Sequence, residues 1–211
     1  MSSVFEFFAG MSALTFAGIL SGVLSTFAYL PYIIDTLARR TRPQRASWLI
    51  WSVLGSIAFF SQVFEGASES LWFASVQVSG TIIVFLLSII IGVGSYLNRS
   101  DYFVLLAAAV GLVLWYYTDT AVYALAITIS ISLLGGTVTI IKAFQDPESE
   151  TMSTWAISGV ASVFAIIAVG KPDLVLLAYP LYLFTLNGAI VMAMTLGRLK
   201  GQRTATAGVP A

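Results

Sequence analysis

The polar side chains that lie inside long apolar runs are the ones that could do chemistry in this chain. Asn187 offers an amide, Ser79 and Ser158 offer hydroxyls, and Trp51 and Trp155 each offer an indole ring with one N–H. An amide both donates and accepts hydrogen bonds, and an indole face can stack on a ring-shaped ligand. We interpret these residues as binding groups for a small neutral polar solute.

Each of these residues also has a purely structural interpretation. Asn187 can form a hydrogen bond between helices, and Ser79 by itself would be assigned to packing. Trp51, Trp155 and the neighbouring Trp48 can belong to an aromatic belt at the membrane surface. Both interpretations stay open at the level of sequence.

The residue types that are missing exclude several functions. The 211 residues contain no cysteine and no histidine, which removes disulfides, the usual zinc ligands and Cys or His nucleophiles. No acidic or basic residue lies well inside an apolar run, which disfavours acid–base catalysis and ion-coupled transport. A net charge of zero argues against nucleic acid as a partner. We therefore expect no enzyme, no cofactor and no metal.

Composition places these residues in a lipid bilayer. The chain is 58% hydrophobic and 9% charged, with a mean hydropathy of +0.93, far from the values of soluble domains. Continuously apolar runs favour spanning helices over a barrel, and such helices need about 20 residues each. The runs cover residues 11–37, 48–64, 71–97, 102–117, 121–142, 153–169 and 174–196.

Basic residues predict the orientation of these helices. With the N-terminus outside, Lys171 is the one Lys or Arg on the outer side, and the others fall in the cytoplasm. We therefore expect residues 1–10 outside, a disordered cytoplasmic tail over residues 197–211, and a location in the plasma or inner membrane.

An internal repeat predicts how the helices are arranged. Residues 30–55 align without a gap on residues 137–162, which pairs Ser47 with Thr154 and Trp48 with Trp155. Duplication explains this match better than the general likeness of membrane hairpins, because a tryptophan is among the matched residues. The chain then reads as an all-α membrane protein of seven transmembrane helices, in which two parallel triple-helix bundles, residues 11–97 and 121–196, are joined by a linker helix within 98–120.

Short motifs resemble the SWEET sugar transporters and the wider PQ-loop family. The stretch LPYII is similar to the Pro-Gln motif, with Tyr32 in place of glutamine, and IWSVLG resembles the SWEET pattern Leu-Trp-x-x-Tyr-Gly through Trp51. The stretch LNG places Asn187 on the asparagine that contacts sugar in that family. Departures occur at Ser79, where a second Asn-Gly is expected, and at Ser158, which lies opposite Trp51.

The resemblance implies a facilitator, or uniporter, that carries a small neutral polar solute such as a sugar by alternating access. One alternative is a vitamin or nucleoside facilitator of the Pnu type, which would use more aromatic stacking. Another is a non-transporting receptor with the architecture of the KDEL receptor, which reads peptide charge through buried ionisable groups. The lipid bilayer is an expected partner, and the aromatic stretch 114–125 offers a face for a second copy of the chain or for lipid.

A gate is predicted at the cytoplasmic ends of the repeats. Asp35 and Lys142 hold the same position of the repeat with opposite charge, so an ion pair between them could close the inner mouth; the alternative is that both face water. Pro31 removes a backbone hydrogen bond from the first helix and predicts a kink or a hinge there. Tyr32, next to it, is included in this gate.

Overall fold

The computed structural model describes residues 12–64, 71–91, 99–117, 121–170, 172 and 174–207, so the predicted outer segment 1–10 lies outside the described residues. These residues are almost entirely helical, without a β-strand. The helices are α1 (Ala13–Leu37), α2 (Arg45–Phe64), α3 (Leu71–Ile90), α4 (Arg99–Tyr116), α5 (Ala121–Gln145), α6 (Met152–Val169) and α7 (Leu174–Ala207), with a 3-10 turn over Pro147–Ser149.

The last helix ends later than hydropathy predicts. Helix α7 continues to Ala207, so residues 197–207 of the predicted disordered tail are helical. Hydropathy marks the part of a helix that prefers lipid, whereas this extension is rich in Arg, Lys, Leu, Gln and Ala, which favour helix in any solvent. The extension is also held in place, because Arg198 Nε donates to Glu148 at 2.7 Å and the Lys200 ammonium lies 5.5 Å above the Phe144 ring.

Helix α1 buries polar side chains and exposes apolar ones. Its buried stripe includes Ser21, Ser25 and Thr36, each at most 2% exposed, whereas Phe27 and Ile34 are 57% and 55% exposed. In water this arrangement would leave large apolar side chains solvated, so lipid is the environment that fits the outer surface.

Four segments are long and apolar enough to span a bilayer: Ala13–Leu37, Ala126–Gln145, Met152–Val169 and Leu177–Gln202. A fifth apolar segment, Ser75–Ile90, is shorter in the part of the chain whose side chains are described. Together with the exposed apolar faces, these helices indicate an integral membrane protein.

Contacts between helices form a closed ring. In order around it, α1 packs on α3, α3 on α2, α2 on α5, α5 on α7, α7 on α6, and α6 on α1. Helix α4 packs outside this ring against α5 and, less extensively, α2. We call α1 to α3 the first half and α5 to α7 the second half, so that the contacts α1–α6 and α2–α5 join the halves.

The connections α1–α2 and α5–α6 lie at the same end of the ring, which we call the loop end, and they contact each other. The backbone N–H of Arg42 donates to the Ser149 carbonyl at 2.9 Å, and the Thr41 and Thr151 hydroxyls are 2.5 Å apart. The Arg42 guanidinium also pairs with the Asp146 carboxylate. Hydrogen bonds from both connections therefore tie the halves together at this end.

Candidate functional site

Five aromatic residues meet inside the ring, and we call Tyr29, Tyr32, Trp48, Trp51 and Trp155 the aromatic cluster. Trp48 lies at its centre, with ring centroids 4.9 Å from Tyr32, 5.3 Å from Trp51 and 6.0 Å from Trp155. The pairs are tilted or edge-to-face, as aromatic quadrupoles prefer. The rings therefore pack on one another and occupy the space between α1, α2 and α6.

The cluster is hydrogen-bonded to a buried carboxylate, Glu150. Its Oε2 accepts from the Tyr32 hydroxyl at 2.9 Å and from Trp155 Nε1 at 3.1 Å, and its Oε1 pairs with Lys142 Nζ at 2.6 Å. Trp48 Nε1 donates to the Tyr32 hydroxyl oxygen at 3.2 Å. The Glu150 side chain is 0% exposed, and such burial is tolerated only because a cation and two further donors satisfy the charge.

Sequence reasoning missed Glu150 because it lies in a connection and not in an apolar run. A charge in a polar connection is ordinarily solvated, so the search for ionisable groups within the runs passed over it. The available signal was Lys142, a charge at the end of an apolar run that needs a counter-charge. The structure therefore corrects the inference that the interior holds no ionisable group.

The two residues of the predicted gate have other partners in this structure. Asp35 pairs with Arg40 at 2.9 Å and accepts from the Thr151 hydroxyl at 2.9 Å, whereas Lys142 pairs with Glu150. The predicted ion pair between Asp35 and Lys142 is thus replaced by two nearer pairings. A gate at the loop end stays a prediction, with its partners reassigned.

Burial of Trp48 and Trp155 contradicts the interpretation of both as an interfacial belt. They are 2% and 5% exposed, because their indoles point into the ring and not toward lipid. Trp51, one turn further along α2, is half-buried, and its Nε1 donates to the Ser132 carbonyl of α5 at 3.3 Å. Trp51 is therefore the indole of the three that keeps an accessible face.

Asn187 is a buried amide on α7, only 5% exposed. It faces α6 at Gly159, where an added Cβ would lie 3.7 Å from the Asn187 Cβ. An amide carries two donors and one acceptor, and those of Asn187 could bind a solute or water.

The two predicted serines differ in placement. Ser158 on α6 is half-buried, and its carbonyl accepts from the Ser162 hydroxyl at 2.8 Å. Ser79 is exposed on the same outer face of α3 as Ile83, apart from Trp51 and Asn187. The next residue, Gly80, lies in the contact between α3 and α1. One step along a helix turns a side chain by about 100°, so Ser79 points away from this contact.

Gln77 is a polar residue of α3 that sequence reasoning did not single out. The Tyr29 hydroxyl donates to its Oε1 at 2.6 Å, so an amide of the first half is held beside the aromatic cluster. Its position within an apolar run marks Gln77 as a candidate polar residue in the sequence. The family motif instead pointed to Ser79, two residues later.

Pro31 and Tyr32 follow one another in α1, which continues through them from Ala13 to Leu37. Pro31 is half-buried, and Tyr32 is 0% exposed. Tyr32 thus takes part in the contacts of the loop end, as the gate prediction requires. A hinge at Pro31 stays a prediction.

An open cleft of about 450 Å³ lies at the loop end beside the C-terminal part of α7. It is lined by Pro147, Glu148, Gly197, Arg198, Gly201 and Gln202. None of these residues belongs to the aromatic cluster, so this cleft is separate from Asn187 and Trp51.

The fold and these buried polar groups define a helical membrane protein with a polar, aromatic interior. Comparison of the chain with protein-family models, curated proteins and solved structures finds no match. Its function is therefore argued from the residues of the site.

Proposed function

We propose that the protein is a membrane facilitator for a small neutral polar solute. The observation that carries this proposal is the Asn187 side chain, an amide that is 5% exposed on α7 and lies against α6 at Gly159. A solute with hydroxyl groups would satisfy both its donors and its acceptor. A sugar is the expected example, by the resemblance to SWEET proteins.

The proposed architecture is a pair of parallel triple-helix bundles, α1–α3 and α5–α7, flanking the linker α4. The helix contacts support it, because α1 packs on α3 and on a helix of the other half, and α5 likewise packs on α7 and on a helix of the other half. Such parallel repeats rock about a site near the middle of the membrane in known transporters. The loop end, predicted to be cytoplasmic, is closed in this structure by contacts between the connections.

In this mechanism the solute binds from the end opposite the loop end, and Asn187 hydrogen-bonds it. Trp51 supplies the accessible indole face, and Ser158 on α6 supplies a hydroxyl. The halves then separate at the loop end and release the solute. Lys142 balances the Glu150 charge beside this pathway.

Uptake into liposomes tests the proposal. The purified protein is reconstituted and offered a panel of labelled sugars, nucleosides and amino acids. Asn187→Leu keeps the side-chain volume and removes the amide, so we expect at least a tenfold loss of uptake through lost hydrogen bonds to the solute. Thr185→Ala is the matched control, because Thr185 is exposed on α7 and its hydroxyl donates to the Leu181 carbonyl of its own helix.

Thermal unfolding of both variants separates a binding defect from a folding defect. If Asn187→Leu folds and transports as well as Thr185→Ala, Asn187 is a packing residue and the proposal loses its main support. Absence of uptake for every solute in the panel would reject the facilitator.

A receptor is the second candidate, and one observation favours it. The ion pair of Lys142 with the buried Glu150 supplies ionisable groups of the kind through which a receptor of the KDEL-receptor type reads peptide charge. Saturable peptide binding without uptake would select this candidate. The Pnu-type alternative is less favoured, since Trp48 and Trp155 are covered by other rings and only Trp51 keeps a face for stacking.

A further inference from the structure

The hydrogen bonds of Glu150 are divided unequally between the halves. Glu150 precedes α6, and its partners Lys142 and Trp155 belong to α5 and α6 of the second half. Tyr32, on α1, is the first-half donor to this carboxylate among the described residues. Trp48 of α2 acts behind it by donating to the Tyr32 oxygen. The first half therefore reaches the buried charge through one hydroxyl.

We propose that Tyr32 and Glu150 form a latch that holds the loop end closed. When this end opens, the Tyr32–Glu150 hydrogen bond breaks, while Lys142 and Trp155 remain on the carboxylate. Separating a buried carboxylate from its counter-charge costs more than separating it from a neutral hydroxyl. The halves should therefore part between the phenol and the carboxylate. This inference rests on the proposed function, because a latch matters only if the loop end opens.

Other interactions also join the halves. Near the loop end the buried Thr41 and Thr151 hydroxyls are 2.5 Å apart, and the Lys142 ammonium donates to the Arg42 carbonyl. The Arg42 and Asp146 side chains are 59% and 45% exposed, and exposed ion pairs contribute little. Tyr32 and the Glu150 side chain are both 0% exposed. A hydrogen bond to a charged acceptor is strongest where water is excluded, so the Tyr32–Glu150 bond is one of the strong bonds that must break when this end opens.

Thr36 provides a probe for opening. It is 0% exposed on the buried stripe of α1 that also carries Tyr32, and its hydroxyl has no hydrogen-bonding partner among the described residues. Since the chain contains no cysteine, Thr36→Cys introduces a single thiol without removing a side-chain hydrogen bond. The rate at which a water-soluble maleimide alkylates this thiol in lipid nanodiscs follows the open fraction when opening is fast.

The experiment compares Tyr32→Phe with Tyr29→Phe, each combined with Thr36→Cys. Both changes remove one hydroxyl from α1, but the Tyr29 hydroxyl bonds Gln77 within the first half. We expect Tyr32→Phe to raise the alkylation rate roughly tenfold or more, and Tyr29→Phe to change it by less than about twofold. Trp48→Phe, which leaves the Tyr32–Glu150 bond in place, should give a smaller increase than Tyr32→Phe.

The latch is rejected if Tyr32→Phe leaves the rate unchanged, or if both tyrosine variants raise it equally, which would show general loosening. Thermal unfolding of the variants identifies such loosening independently. Because alkylation needs no solute, the result is separable from uptake. A rate increase without uptake keeps the latch and rejects the facilitator, whereas uptake without a rate increase does the reverse.

Discussion

The two halves build the same close helix contact with the large residue on opposite helices. In the first half the Tyr29 ring of α1 covers Gly80 of α3, where an added Cβ would lie 2.5 Å from the ring. In the second half Leu186 of α7 covers Gly136 of α5, where an added Cβ would lie 2.6 Å from its Cδ1. What the halves share is therefore a close approach of two helices, and not the residues that produce it.

Hydrogen bonding differs between the halves at aligned positions. Ser47 donates to the Gly135 carbonyl at 2.6 Å and accepts from Thr139 at 2.9 Å. Thr154, which aligns with Ser47, is buried but its hydroxyl has no hydrogen-bonding partner. The contact α2–α5 thus has a hydrogen bond at a position where its counterpart α1–α6 has none. The α1–α6 contact is joined elsewhere, because the Ser21 hydroxyl donates to the Ala161 carbonyl at 2.9 Å and Tyr32 donates to Glu150.

We expect the largest change in the free energy of unfolding when the Glu150 carboxylate, which belongs to the second half, is removed. Glu150→Leu leaves the Lys142 ammonium, 15% exposed, without its counter-charge, and should lower the free energy of unfolding by about 3–5 kcal/mol. Glu148→Ala is the control, because that side chain is 76% exposed and its ion pair should contribute about 0–1 kcal/mol. Reversible unfolding in detergent micelles measures both.

Adding Lys142→Met to Glu150→Leu removes the unpaired charge as well, so much of the loss should be recovered. Equal effects of Glu150→Leu and Glu148→Ala would show that the carboxylate is solvated and that the halves do not differ in this way.

A smaller loss of stability is expected when alanine replaces the glycines at the two close helix contacts. Gly80→Ala meets a ring that is fixed by Gln77 and Trp48, so it should destabilise the protein by about 1–3 kcal/mol. Gly136→Ala meets only the end of the Leu186 side chain, which can move, and it should cost less. Gly22→Ala has nothing within 4 Å of the added Cβ and serves as the control in the same unfolding assay. A larger cost for Gly136→Ala than for Gly80→Ala would reverse the comparison.

The smallest change in the free energy of unfolding is expected for the aligned hydroxyls of Ser47 and Thr154. Ser47→Ala removes one donor to the Gly135 carbonyl and the closer acceptor of the Thr139 hydroxyl, which still reaches the Gly135 carbonyl at 3.3 Å, so it should cost about 1 kcal/mol. Thr154→Val removes a hydroxyl that has no partner, so its effect should stay within about 0.5 kcal/mol. Unfolding free energies measured under one set of conditions test the pair. Equal losses would mean that Thr154 does form a hydrogen bond in the membrane.

Particular residues show how far the sequence could predict this site. Trp51 and Asn187 were predicted from their residue types and from short motifs that resemble a known family, and their role in binding stays a prediction. Ser79 was predicted from a motif, and a shift of one residue changes the helix face: Ser79 is exposed, whereas Gly80 is buried in the helix contact. The partners of Asp35 and Lys142 could not be found from their aligned positions, since nearer charges compete for each of them.

The sequence by itself indicated that the chain belongs in a membrane and approximately where its apolar helices run, and its alignment pairs Trp48 with Trp155. Those properties follow from the transfer free energy of successive residues and from direct alignment, both of which are local. Only the tertiary structure decided that Glu150 turns inward to meet Tyr32, 118 positions away, and that Ser79 turns outward. A buried charge is stable only where donors from distant segments converge on it, and that convergence is created by the packing of the helices.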